Sequence, residues 1–178
     1  MMELLIEILI EVLIAVVIAA LLRRYVICFS LIKGRSMMHT LRDKEIVLVS
    51  RWAYLRKAPR RGDVVICYYP GRKMKKIPWM RQPMVKRVVG LPGETIEIIE
   101  GQTFIDGREL REGYLDPRCT RFKRNKSPVH LEENQYFVMG DNRDNSNDSR
   151  RVGPLEKNAI TGRALCVLWP PKAWRRIR

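Results

Sequence analysis

Three short stretches hold residue types that do chemistry, in a density that strands and turns alone do not require. The first is Lys33-Gly34-Arg35-Ser36-Met37-Met38-His39-Thr40-Leu41, which places Ser36 in a loop-like setting. A serine hydroxyl becomes a nucleophile only with a base to take its proton. The chain has two histidines, His39 and His130, and no acid is singled out to orient either, so a Ser-His-Asp triad lacks a clear membership. Lysine is the other available base. The second stretch, Met84-Val85-Lys86-Arg87-Val88-Val89, puts one inside an apolar strand, where Lys86 shares a face with Met84 and Val88 while Arg87 shares the other with Val85 and Val89. Burial disfavours an ammonium and leaves an arginine charged, so Lys86 is the one of the pair able to become a neutral amine and accept a serine's proton. Read singly, Ser36 also fits a turn and Lys86 a strand lysine reaching for solvent.

The third stretch is Gly140 to Arg150, whose eleven residues include three Asp, three Asn, two Arg and two Ser. Short polar side chains build turns, and Asp and Arg pair bidentately to fix them. Asp144, Asn145 and Asp148 are also hard oxygen donors of the kind a calcium loop uses, although the spacing is not that of an EF-hand. Cys28, Cys67, Cys119 and Cys166 contain no CxxC pair, which gives a zinc or iron–sulfur site little support. A disulfide between the strand-like segments of Cys67 and Cys166 stays open.

The elements that must carry these residues are short β-branched runs separated by turn signals. Glu45 to Val49, Asp63 to Tyr68, Met84 to Val89, Thr95 to Ile99, Gln102 to Ile105, Tyr136 to Met139 and Thr161 to Leu168 read as strands. Asp106-Gly107 predicts a hairpin turn, and Leu91-Pro92-Gly93-Glu94 a turn between strands. No convincing helical segment of twelve residues follows Arg24. The fold class is mainly β, an antiparallel sheet domain.

The N-terminus is a different material. Leu4 to Leu22 is apolar except at Glu7 and Glu11, and as a helix it reaches roughly 28 Å, close to the hydrocarbon thickness of a bilayer. The span extends through Tyr25 to Phe29, with Arg23 and Arg24 snorkelling to the interface. A cleavable signal and an amphipathic docking helix are the alternatives. The expected division is an anchor over residues 1–29 and a β-rich domain over 30–178. Of the +15 net charge, residues 1–24 carry −1 and the remainder +16. Basic clusters at Arg56 to Arg61, Arg72 to Lys76, Arg121 to Lys126 and Lys172 to Arg178 are solvated loops or contacts to anionic lipid. Nucleic acid is not favoured, because no recognition helix, finger or RNP-type signature accompanies them.

Taken in order, the anchor, Gly34 to Leu41, Gly62-Asp63-Val64-Val65, Val85 to Glu94 and Gly140 to Arg150 resemble the bacterial type I signal peptidases over nearly the whole chain. The small size and single anchor look like the Gram-positive branch. The resemblance implies a signal-peptidase-like fold and a membrane-bound Ser/Lys serine endopeptidase. It would be single-pass in the cell membrane, with its catalytic domain on the extracytoplasmic side, and would remove signal peptides from exported preproteins. It implies no cofactor and no metal. Carried onto this sequence, Ser36 would be the nucleophile and Lys86 the general base. Ser146 would hydrogen-bond the Lys86 amine, and Asp148 with Arg150 would brace the site. The Ser36 N–H would form the oxyanion hole, with no hydroxyl donor at Gly34. Ile32, Met37 and Val85 would line shallow pockets for small, alanine-like side chains.

Two positions depart from the family. His39 stands where proline is usual, and Arg35 where many relatives have a small or acidic residue. They motivate the alternative, a membrane-tethered basic binding protein with an impaired signal-peptidase fold. The self-cleaving SOS repressors share the Ser/Lys chemistry, but they need a DNA-binding domain where Leu4 to Leu22 lies. Residues 100–135 match poorly and predict only a hairpin and a basic loop.

Overall fold

A computed structural model describes residues 2–70, 82–121 and 125–177. The basic run Arg72 to Lys76, Trp79 and Phe122 lie outside the described residues. The chain begins with helix α1 (Met2–Tyr25). Every side chain from Leu4 to Leu21 is exposed, including Glu7 and Glu11. A helix that is apolar all round and covered by no other part of its chain is compatible with a membrane anchor.

The helix ends earlier than the anchor expected over residues 1–29, because the apolar run beyond Tyr25 is not helical. Ile27, Cys28 and Phe29 belong to strand β1 (Ile27–Leu31), which pairs over five residues with β2 (Ile46–Ser50). Cys28 and Ser30 turn half-buried towards the core while Ile27, Phe29 and Leu31 stay exposed. That period of two is incompatible with a helix.

All the remaining strands pair antiparallel. They are β3 (Val64–Cys67), β4 (Met84–Gly90), β5 (Thr95–Ile99), β6 (Gln102–Ile105), β7 (Arg108–Glu109), β8 (Lys126–His130), β9 (Gln135–Met139), β10 (Leu155–Glu156), β11 (Ile160–Trp169) and β12 (Arg175–Arg176). The main sheet runs β1-β2-β11-β3-β4-β9-β10, with β12 added to β11. The fold is therefore mainly β behind one N-terminal apolar helix. β3 is buried at all four positions, as befits a continuous apolar run between two neighbours. Gly162 lets β11 pass close to β2, since a Cβ there would lie 2.7 Å from Val49.

A second sheet, β7-β6-β5-β8, replaces the expected hairpin and basic loop. The Asp106-Gly107 turn forms with both residues at positive φ. What the sequence pattern missed is β8, which contains Pro128 and little apolar alternation. It pairs with β5 by its backbone, and its Val129, with Leu131 just beyond its end, joins the cluster of Ile96 and Ile98.

The four cysteines are free thiols. Cys67 lies opposite Ile160, six residues along β11 from Cys166, so the two cannot be bridged.

Candidate active site

Ser36 stands in the loop between β1 and β2. The loop is stitched at its base, with the Ile32 amide donating to the Glu45 carbonyl at 2.8 Å and the Lys44 amide to the Ile32 carbonyl at 2.9 Å. Gly34 has φ of +95°, a conformation that favours glycine, and its N–H donates to Asp43 Oδ1 at 2.7 Å. After Ser36, the Leu41 amide donates to the Met37 carbonyl at 2.7 Å, and this turn buries Met37 and Leu41 in the core. The Ser36 N–H donates to no group among the described residues, which leaves it available to a developing oxyanion.

Lys86 lies in β4 opposite Val65 of β3 and is 3% exposed. Its Nζ is 2.9 Å from Ser36 Oγ and also donates to the Val85 carbonyl at 2.9 Å. With a neutral amine the same contact lets the serine hydroxyl donate to nitrogen, which is the first step of a general-base reaction. Cys67, close to this lysine, adds no negative charge. Burial pushes its thiol up to about 12, against the pull of the Lys86 charge.

The neighbouring cation is managed differently. Lys86 and Arg87 point to opposite faces of β4, and both are buried. Arg87 Nε and Nη2 reach the two Asp141 oxygens at 2.9 and 2.7 Å, and Nη1 donates to the Gly62 carbonyl at 2.7 Å. Its guanidinium lies 4.0 Å from the centre of the Tyr114 ring. Thr40 donates to the same Asp141 carboxylate, which ties the serine loop to the Gly140 loop.

The Gly140 to Arg150 loop is a scaffold of paired groups. Arg150 makes a bidentate pair with Asp148, at 2.8 Å for each bond. Burial alone would raise the Asp148 carboxyl, but the Arg150 bonds and charge, with the Gly140 amide, hold it below the usual range. Arg143 pairs with Glu112, and Ser149 Oγ accepts from the Val138 amide at 3.0 Å and contacts the Tyr69 hydroxyl at 3.2 Å. No group of His, Cys, Asp and Glu among the described residues could hold a metal ion. Ser146 departs from expectation, since its buried Oγ makes no hydrogen bond to Lys86 and lies beside the Asp148 carboxylate instead.

Ser36, Lys86, Gly34, Ile32, Met37 and Val85 line one open cleft of about 700 Å³, together with Phe29 to Leu31, Lys33, Gln82 to Met84 and Asn147. One wall is β1, an edge strand whose second side carries no partner strand among the described residues. Asp148 and Arg150 lie behind the cleft rather than on it. Asp141, Asn142 and Thr40 hold the serine loop, and no local sequence signal marks them for it, because their partners are distant in sequence.

A serine hydroxyl against a buried lysine amine, on the wall of an open cleft in an antiparallel β fold, is an arrangement that can do serine-peptidase chemistry. The family model described as "Signal peptidase, peptidase S26" matches residues 5–169, and the chain belongs to that family. Signal peptidase I of Leptolyngbya laminosa is 34% identical over 151 residues, covering 84% of this chain and 72% of that protein. Probable signal peptidase I-1 of Synechocystis sp. is 35% identical over 158 residues, 88% of this chain and 79% of its own. Signal peptidase I S of Bacillus subtilis is 34% identical over 165 residues, 88% and 84%. A crystal structure of a signal peptidase I from Enterococcus faecalis is 30% identical with a TM-score of 0.48, covering 60% of this chain and 97% of that one.

The two departures from the family leave the pair intact. His39 lies 3.4 Å from Asp116, and the Arg35 carbonyl accepts from Asn142 Nδ2 at 3.0 Å. The alternative of a binding protein with an impaired fold has no support.

Proposed function

We propose that the chain is a membrane-anchored signal peptidase that cleaves preproteins with Ser36 as nucleophile and Lys86 as general base. The observation that carries this reading is the 2.9 Å contact between Lys86 Nζ and Ser36 Oγ inside a family match covering residues 5–169. Lys86 takes the hydroxyl proton as Ser36 attacks the scissile carbonyl, then returns it to the leaving amine. The Ser36 N–H receives the oxyanion. Ser146 supplies a hydrogen bond to the Lys86 amine once Ser36 is acylated, its hydroxyl turning from Asp148 to do so. Asp148 and Arg150 brace the loop that carries it.

The substrate lies extended along the open side of β1, taking main-chain hydrogen bonds as an added strand does. Ile32, Met37 and Val85 shape the pockets, whose shallowness selects small side chains. We place the anchor over the first 25 residues and the catalytic domain after it, on the extracytoplasmic side. The domain rests on the bilayer. Phe29, Leu31, Trp52, Leu55, Trp169 and Trp174 are exposed near or beyond a strand that follows the anchor directly, and exposed Arg56, Lys57 and Lys172 supply charge for anionic headgroups.

The test is cleavage of several signal-peptide-bearing preproteins by the purified full chain in detergent. Product at the signal junction is expected. No cleavage of any of them would overturn the reading.

A further inference from the structure

The fold removes one way of keeping the acids of α1 out of the bilayer. A helix running on to Phe29 could slide towards its C-terminal end and leave Glu7 and Glu11 outside. Instead α1 ends at Tyr25, and Ile27 to Phe29 are bound into the main sheet through β2. Counted back from Tyr25 at about 1.5 Å per residue, Glu11 lies roughly 21 Å and Glu7 roughly 27 Å into a hydrocarbon layer about 30 Å thick. Starting the layer before Tyr25, or tilting the helix, moves both further inside it.

Neither carboxylate is answered by its own chain. All side chains from Leu4 to Leu21 are exposed, no Lys or Arg precedes Arg23, and neither Glu7 nor Glu11 makes a hydrogen bond or ion pair among the described residues. An ionisable group inside a span is costly in lipid and calls for a partner that matches it. Four residues apart, Glu7 and Glu11 share one face of α1, and Ala15 and Ala19 continue the same ridge. Small residues at that spacing let a second helix come close.

A second copy of α1 lying parallel would set carboxylate against carboxylate. A helix of the complementary pattern fits better, basic first and apolar afterwards. A signal peptide has that pattern, a positively charged segment followed by an apolar stretch of about 7–15 residues and then the cleavage site. The lengths agree, since α1 has eleven uninterrupted apolar residues from Val12 to Leu22. A signal helix parallel to α1 therefore sets its basic segment beside Glu7 and Glu11, while its cleavage site emerges at the end of α1 from which the chain runs on to Ser36.

We propose that the face of α1 bearing Glu7 and Glu11 docks the signal peptide of the preprotein, its carboxylates pairing with the basic residues ahead of the apolar stretch. This rests on the peptidase reading above and adds to it a recognition surface in the anchor, away from the cleft.

The experiment uses the full chain in nonionic detergent with two substrates, a preprotein carrying its whole signal peptide and a short peptide spanning only the cleavage junction. The readout is the ratio of kcat/KM for the preprotein to kcat/KM for the junction peptide, which cancels any general effect of a variant on the active site. With Glu7→Gln and Glu11→Gln together, this ratio is expected to fall about tenfold. Replacing the preprotein's basic residues ahead of its apolar stretch by Gln should lower the wild-type ratio equally and cost the double variant nothing further. With Glu7→Lys and Glu11→Lys together, a preprotein whose basic residues are replaced by Glu is expected to be cleaved about tenfold better than the unaltered one.

A ratio unchanged in the double Gln variant overturns the proposal. So does a fall that neither depends on the preprotein's basic residues nor is rescued by exchanging the charges. If that fall comes with lost self-association, measured by energy transfer between labelled copies, the face belongs to a second copy instead. Cleavage of the junction peptide, and its loss in Ser36→Ala, judges the peptidase reading separately. A chain that cleaves the junction peptide with an unchanged ratio fails on the anchor face alone. A chain that cleaves neither substrate fails the peptidase reading, and the proposal falls with it.

Discussion

The Asn142 amide donates to the Ser36 carbonyl at 3.0 Å, so the loop after β9 holds the serine's own backbone in place. That contact exists because Gly140 carries no side chain. A Cβ at Gly140 would lie 2.4 Å from the Ser36 carbonyl oxygen and 2.3 Å from Ser146 Oγ. Neither neighbour can yield easily, since the first is backbone and the second is buried.

Gly140→Ala is therefore expected to push the two loops apart and displace Ser36 from Lys86. The expected stability loss is about 1–3 kcal/mol, the usual range for overpacking. Cleavage should fall by roughly 100-fold, the scale of a small misplacement at a reacting centre. Kinetics and thermal unfolding on the same preparation check this, and near-normal activity would show that the loops are not in register as described.

Removing either member of the pair has a larger effect. Ser36→Ala and Lys86→Ala are each expected to lower kcat/KM by about 10⁴-fold or more, and the double variant to lose little beyond that, because the two act as one unit. Ser149 makes a poor control. It is buried and bonded to the Val138 amide and the Tyr69 hydroxyl, so its removal disturbs the fold. Ser127, exposed on β8, is the better one, and Ser127→Ala should cleave as the wild type does. Retained cleavage in Ser36→Ala or Lys86→Ala would end the dyad assignment.

A lysine base also fixes the sign of the pH dependence. Only the neutral amine accepts the serine's proton, so kcat/KM should rise with pH as Lys86 deprotonates. A single rising limb is the expected profile under single-turnover conditions. A rate flat from about pH 5 to 10 would exclude a neutral-lysine mechanism.

Much of this site was legible because its reactive members are unusual where they stand. Lys86 interrupts an apolar strand, and Gly140 to Arg150 is too rich in Asp, Asn and Arg for a plain turn. The strands from β2 to β6, β9 and β11 followed from β-branched runs between turn signals. The pairings between distant loops did not. Arg87 and Asp141 are 54 positions apart, and Arg143 and Glu112 are 31 apart, so no local period encodes them. The short strands β7, β8, β10 and β12 escaped for another reason. They hold polar residues or proline and owe their pairing to a neighbour's backbone rather than to their own alternation. The end of the N-terminal helix was not legible, because Ile27, Cys28 and Phe29 suit hydrocarbon and an edge strand equally by composition.

Acid sensitivity follows from Asp148. Its carboxyl ionises below the usual range in the folded chain, chiefly because Arg150 overcomes the cost of burial. Stability from this group is complete above the unfolded carboxyl's value, near 4, and is lost as pH falls from there through the lower folded value. Asp148→Asn removes it. The variant should be less stable by about 3 kcal/mol at neutral pH, as expected when one partner of a buried pair is removed. The gap in melting temperature from the wild type should narrow below about pH 4. A gap that stays constant down to pH 2 would show that the pair does not carry this linkage.

The C-terminal strap makes the last prediction. Arg175 on β12 donates to both Glu45 oxygens, at 2.9 and 2.7 Å, and to the Thr40 carbonyl at 2.7 Å. Glu45 in turn accepts from the Arg42 amide at 2.9 Å, and Thr40 donates to Asp141. One guanidinium thus binds the far end of the loop that presents Ser36. Ile177 and Ala173 pack on the core cluster that holds Met37 and Leu41, which keeps the strap in place. Arg175→Gln should cost about 1–3 kcal/mol, as for lost hydrogen bonds to charged groups. It should lower kcat more than it raises KM, because the loop that positions the nucleophile loosens while the cleft wall along β1 stays. Arg175→Lys keeps the charge but not the forked geometry, so it should recover stability better than kcat. If Arg175→Gln lowers the melting temperature and leaves kcat unchanged, the strap supports the fold without positioning Ser36.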